Sequence, residues 1–173
     1  NNVDIALKKF LADKTIGMVV SERWGGVPGG ENHWWRVMDR SGGMLHEQAT
    51  HQLNTMRYYA GNVVEVYQKS ALRVNADLPN HTVPDSEITT LVFESGAIGF
   101  LVNTCAMVNG GGSGRMELVV QGHIRLQPGN DGIKIVPDGA TTIEISDGPV
   151  LDLDQSFIEA ILTGDTSLVT DNF

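Results

Sequence analysis

From residue 63 onward the chain is a succession of short segments in which β-branched and other apolar residues alternate with polar ones, and this pattern limits the fold more than any other feature. "VVEVYQKSALRVN", "SEITTLVFE", "AIGFLVNTCAM", "RMELVVQG", "HIRLQ", "GIKIVP" and "TTIEIS" each read as a strand, because such side chains fit a pleated surface. Between them stand "SG" at 95–96, "NGGGSG" at 109–114, "PGNDG" at 128–132 and "PDG" at 137–139, dividers short enough to join antiparallel neighbours. A mostly antiparallel sheet is expected.

Helical spacing flanks this run. Val3, Ala6, Leu7, Phe10 and Leu11 predict a helix over 3–12, and "TIGMVVSE" a strand after it. Residues 23–40, "RWGGVPGGENHWWRVMDR", show no period and read as a long loop. A second helix is expected over 43–60, capped by Ser41 and ended by Gly61 in the left-handed conformation, with Leu45, Ala49, Leu53, Met56 and Ala60 as its apolar stripe. A third is expected at 153–163, opened by Asp152 and Gln155 in capping-box spacing and stopped by Gly164. This grouping predicts an α+β fold in a single domain: a two-layer sandwich with helices on one face of an open-faced sheet. "TTLVFESGAIGFLVNTCAM" is more apolar than a solvent-facing strand pair requires, so the open face is expected to pack on another subunit or domain, giving a homo-oligomer.

Twelve Lys and Arg against 21 Asp and Glu leave a formal charge of −9 with no basic block, which argues against a nucleic-acid partner. The single cysteine, Cys105, excludes an internal disulfide and fits a reduced compartment, so the cytoplasm is expected; its apolar strand marks it as a buried small hydrophobe. Apolar runs such as "AIGFLV" fall far short of the ~20 residues that cross a bilayer, and no membrane span is expected. The first residues lack a signal-peptide pattern and an initiating Met, so the chain reads as one that starts mid-protein.

The 43–60 helix also carries a polar stripe of Glu47, His51, Asn54 and Tyr58. A carboxylate four residues before an imidazole can orient it or stabilise its protonated form, which makes a general base usable near neutral pH. The same spacing equally describes an exposed pair contributing a few tenths of a kcal/mol. "HEQATH" fails as a zinc motif: the position four after His46 is Thr50, and His51 lies about 140° round the helix from His46. His33, His81 and His123 are scattered, and no metal site is expected. "NGGGSG" lies between strands and opens no helix, so it reads as a hairpin loop rather than a phosphate cradle.

"SGGMLHEQATHQLNTMRYYAG" resembles the start of the C-terminal domain of the Gfo/Idh/MocA oxidoreductases, whose pattern is Gly-Gly-x-Leu-x-Asp-x-Gly-x-His-x-x-Asp, then an Arg-containing turn and Gly. Gly42, Gly43, Leu45 and His51 match; Glu47 takes the acidic position, Ala49 replaces Gly and Asn54 replaces the second Asp. The likeness extends through "FLADKTIGMVV", "VFESGAIGFLVNT" and "SFIEAILTGDTSLVT". It implies the substrate-binding and oligomerisation domain of a dehydrogenase that uses NAD or NADP and acts on a sugar, polyol or related hydroxylated molecule.

In that resemblance His51 is the general base, and Glu47 orients it or binds a neighbouring hydroxyl. Trp34, Trp35 and Arg36 from the preceding loop, with Asn54, are candidate substrate contacts. Core packing competes for the two tryptophans, and a structural amide for Asn54. Arg57 is expected to support the helix end. The family's dinucleotide-binding domain precedes this one and contributes a lysine from a Glu-Lys-Pro motif. Neither a G-x-G-x-x-G turn nor "EKP" occurs here, so the cofactor is expected to sit mainly on another domain, with no cofactor on this fragment and no turnover by it alone. Two other readings stay open: a non-enzymatic binding or dimerisation module, and an NAD-dependent hydrolase or lyase of the same family.

Overall fold

The structure, a computed structural model, describes residues 2–107, 112–146 and 153–166. Helix α1 (Asn2–Leu11) leads into strand β1 (Ile16–Trp24). A 3₁₀ turn (Trp34–Arg36) and the short helices α2 (Met38–Ser41) and α3 (Gly43–Glu47) precede α4 (Thr50–Ala60). Six strands follow: β2 (Val63–Ala71), β3 (Ser86–Phe93), β4 (Ile98–Thr104), β5 (Ser113–Val120), β6 (Ile124–Gly129) and β7 (Gly132–Val136). Helix α5 (Leu153–Thr163) comes last and ends at Gly164, whose N–H bonds the Ala160 carbonyl at 2.9 Å. Asp152, the expected cap of this helix, lies outside the described residues.

The seven strands among the described residues form one sheet in the order β2-β3-β4-β1-β5-β6-β7. Every pairing is antiparallel except β1 with β4, so the expected α+β class and mostly antiparallel sheet are observed. Because β1 lies between β4 and β5, the glycine-rich 109–114 segment does not join neighbours, contrary to the sequence reading. The chain instead passes the end of β1 so closely that a Cβ on Gly26 would stand 2.7 Å from the Met107 carbonyl oxygen. Only glycine fits such an approach. "TTIEIS" at 141–146 is a second correction: it pairs with no strand, although Ile143 packs on the core edge.

Alternation in β3 and β4 sets the layers. Leu91, Phe93 and Leu101 face the helices, with Val19 and Leu118 continuing the face on β1 and β5. Ala49, Met56, Tyr59 and Ala60 of α4, with Leu7 and Leu11 of α1, close the core over it. Burying side chains of this size contributes roughly 1.5–3 kcal/mol each. On the opposite face Met18, Ile88, Ile98, Phe100 and Val119 remain exposed and adjacent across β3, β4, β1 and β5. No helix among the described residues is long and apolar enough to cross a membrane.

The expected 43–60 helix is broken. The Met44 carbonyl accepts the N–H groups of both Gln48 (3.0 Å) and Ala49 (2.9 Å), and regular α-helix resumes only at Thr50. The 23–40 loop also differs from its expectation, since its second half folds into the 3₁₀ turn and α2. The N-cap of α3 is Gly42 and not the expected Ser41, which ends α2, although the Ser41 hydroxyl accepts the Gly43 N–H at 3.1 Å. Gly61 has the expected positive φ (93°), but its ψ of −161° is not left-handed helical.

Candidate functional site at the break between α3 and α4

The break lies over the C-terminal end of β1. Arg23 Nη1 donates to Gln48 Oε1 at 2.7 Å and ties the break to the sheet. The preceding residue, Glu47, accepts a hydrogen bond from Trp35 Nε1 at 2.5 Å, a charge-assisted contact made by an otherwise buried indole. Trp35 is the centre of a second small core with Met44, Val83 and Cys105, and its ring stacks on His81. The chain folds this way because His33 Nδ1 accepts the Trp35 N–H at 3.3 Å and so opens the 3₁₀ turn.

The sequence-selected residues therefore divide. Trp35 and Glu47 are brought together. Trp34 stands exposed beside His33, with ring centroids 5.6 Å apart. Arg36 turns to the 79–82 loop, where Nη1 donates to the Pro79 carbonyl at 3.1 Å. His51 and Asn54 are exposed on the first turns of α4. Since α3 ends at Glu47, no continuous helix relates Glu47 to His51, and no hydrogen bond joins them. Two cavities, of about 510 and 470 Å³, lie elsewhere: one beside Lys8, Lys14 and Tyr59, the other on the open face beside Trp24 and Ile88.

Beneath this region Asp85, fully buried, organises the loop after β2. Its Oδ2 accepts the N–H groups of Arg73 (2.8 Å), Val74 (2.6 Å) and Asn75 (2.8 Å), and Oδ1 accepts the Ser86 hydroxyl at 2.9 Å. Burial works against the charge, but these donors outweigh it and hold the carboxyl below its ordinary value. The nearby Cys105 thiol is buried, and burial with the Asp85 charge pushes its pKa up to about 11, so it behaves as an apolar group. Burial followed by the Arg36 charge keeps His81 below the usual imidazole range.

Sequence reasoning missed Arg23, Gln48 and Asp85, and also a buried polar row of Ser21, Glu87, Thr89 and Asn103. That row was signalled by phase: Glu87 and Thr89 alternate in step with the core residues Leu91 and Phe93, and Asn103 with Leu101. Among the described residues no group of three or more His, Cys, Asp or Glu gathers to hold a metal.

Several solved structures share this fold. The chain is 22% identical to the aldose-aldose oxidoreductase from Caulobacter crescentus, solved with glycerol, with a TM-score of 0.72 over 98% of this chain and 53% of that one. It is 18% identical to the WlbA dehydrogenase from Bordetella pertussis, solved with NADH and UDP-GlcNAcA, with a TM-score of 0.70 over 98% and 51%. It is 14% identical to an oxidoreductase from Agrobacterium radiobacter, solved with NAD+, L-tartaric acid and magnesium, with a TM-score of 0.55 over 94% and 52%. The chain thus spans about half the length of the structures it matches. No curated protein matches its sequence. The GFO/IDH/MocA C-terminal domain matches residues 5–123, from α1 through the turn after β5, and the chain belongs to that family.

Proposed function

We propose that this chain is the substrate-binding and oligomerisation domain of an oxidoreductase that uses NAD or NADP and acts on a sugar, polyol or related hydroxylated compound. The observation that carries this reading is the family match over 5–123, a range that contains Glu47 and His51. The neighbours solved with glycerol and with NADH and a nucleotide sugar support it. The described residues do not fit the cofactor's phosphates: no glycine-rich turn leads from a strand into a long helix, and α3, which follows Gly42, has five residues. Cofactor binding is therefore assigned to a dinucleotide-binding domain other than this one, where a nicotinamide would supply the hydride acceptor.

This chain's own residues handle the proton and the recognition. The His51 imidazole, exposed at the start of α4, takes the proton of a substrate hydroxyl. Glu47 has one oxygen held by Trp35, which leaves the other for a neighbouring hydroxyl. Trp34 offers an exposed aromatic face to a sugar ring, and Asn54 an amide three residues along α4 from His51. The exposed apolar strip through Ile88, Ile98, Phe100, Met18 and Val119 forms the contact between subunits.

One observation favours the second reading, a binding or dimerisation module without catalysis: the Glu47 carboxylate is engaged by Trp35 and not by His51. The full protein, offered aldoses and polyols with NAD and NADP while nicotinamide absorbance is followed, separates the two. Turnover of any member of the panel supports the oxidoreductase, and none with either cofactor leaves the module.

A further inference from the structure

Arg23 is in phase with the buried Val19 and Ser21, so its side chain leaves β1 on the face that the helices cover, at the end that lies under the break between α3 and α4. The residue is half-buried, and a partly desolvated guanidinium is costly unless an anion answers it. Acids are not scarce, at 21 Asp and Glu against 12 Lys and Arg, yet among the described residues none lies within ion-pair reach of Arg23. Its partner is neutral instead: Nη1 donates to Gln48 Oε1 at 2.7 Å. The positions beside it carry no side chains. Its cross-strand partner on β5 is Gly114, and a Cβ on Gly25 would stand 3.0 Å from Nη1.

That hydrogen bond decides what the pair can bind. A guanidinium has no acceptor, so Gln48 must give its oxygen to Arg23, which leaves its amide NH₂ to donate elsewhere. With Nη1 engaged, the edge formed by Nε and Nη2 meets no acceptor among the described residues, and the pair offers donors only. Arg115 in the same sheet shows what such an edge takes: its Nε and Nη2 donate to the two oxygens of Glu22, at 2.9 and 2.7 Å. A neutral hydroxyl would leave the charge unanswered, and a phosphate dianion would call for more positive charge than one arginine supplies. We infer that Arg23 and Gln48 bind a carboxylate of the substrate. On the function proposed above, on which this rests, the hydroxylated compound is then a sugar acid, an aldonate or a uronate. Its carboxylate docks beside the break while His51, at the start of α4, meets a hydroxyl of the same molecule.

Calorimetric titration of the full protein in the presence of NAD or NADP tests this, with a panel of aldonates and uronates, the neutral alditols and sugars of the same configurations, and the matching sugar phosphates. The best acid is expected to bind about tenfold tighter or more than its neutral counterpart, and Arg23→Gln to erase that ratio. Arg23→Lys, which keeps the charge and loses the two-pronged edge, should retain part of it. Equal wild-type affinities for acids and neutral counterparts overturn the inference. So does a loss in Arg23→Gln that is the same for both, which would leave Arg23 as a tie between sheet and break. Tighter binding of the sugar phosphates overturns the carboxylate in favour of phosphate. Nicotinamide absorbance in the same samples separates the site from the function: the binding ratio without turnover sinks the oxidoreductase alone, and turnover of alditols with no preference for acids sinks the carboxylate site alone.

Discussion

Asp85 makes the sharpest prediction about how this domain holds its shape. Its buried carboxylate gathers three consecutive backbone N–H groups, from Arg73, Val74 and Asn75, and the Ser86 hydroxyl. Hydrogen bonds to a charged group contribute about 1.5–3 kcal/mol each, but they are not additive. Arg73 and Val74 are exposed, so their N–H groups regain water once the carboxylate is gone, whereas the Asn75 N–H stays buried and orphaned at a cost of about 1–3 kcal/mol. Asp85→Ala should therefore cost about 3–5 kcal/mol, and Asp85→Asn, which keeps one oxygen acceptor, about 1.5–3. Either is a large share of the roughly 5–15 kcal/mol that holds a domain together. Urea titration followed by tryptophan fluorescence reads the loss directly, since Trp35 lies in the adjoining core. A cost below about 1 kcal/mol for Asp85→Ala would refute the reasoning.

The same residue fixes a pH dependence. Its folded-state pKa lies below the ordinary 3.8, so the folded chain binds its proton less readily than the unfolded chain. The resulting stability is complete above that ordinary value and disappears as the pH falls through the lower folded-state value. Asp85→Asn lacks this contribution, so the stability gap between wild type and variant should narrow as the pH drops below about 4.

Other positions give independent checks. Gly99→Ala places a Cβ 2.9 Å from Phe93 Cε2 and 3.0 Å from Leu91 Cβ and Met56 Cε, which should cost about 1–3 kcal/mol by denaturation; a neutral result would mean that the sheet relaxes freely under α4. Cys105, buried with a pKa of about 11, should react with a disulfide reagent at pH 8 about a hundredfold slower or more in native than in unfolded protein, and equal rates would contradict its burial. If the open face is the proposed subunit contact, Phe100→Asp in its middle should lower the mass read by light scattering to that of a monomer with circular dichroism unchanged; a wild type that is already monomeric, or an unchanged mass in the variant, removes that face as the subunit contact.

Much of the fold was legible because strand alternation and the α1 period are local properties. Segments 86–93 and 98–104 carry their inside and outside in every second residue. What escaped depended on distant partners. The insertion of β1 between β4 and β5 is a choice of neighbours, which no local pattern records. "TTIEIS" alternates like a strand yet finds no partner. The break after Glu47 needs Arg23, 25 residues before Gln48, to hold the Gln48 amide. At the site, the sequence pattern singled out Glu47 and His51, but the indole that engages Glu47 came from a segment read as loop.

Whether His51 is the base is decided by kcat/KM of the full protein on the polyol or aldose that it turns over fastest. His51→Ala should lower kcat/KM by about 10²–10⁴ while leaving the cofactor Kd unchanged. A variant that keeps kcat/KM within about threefold of the wild type rules out His51 as the base.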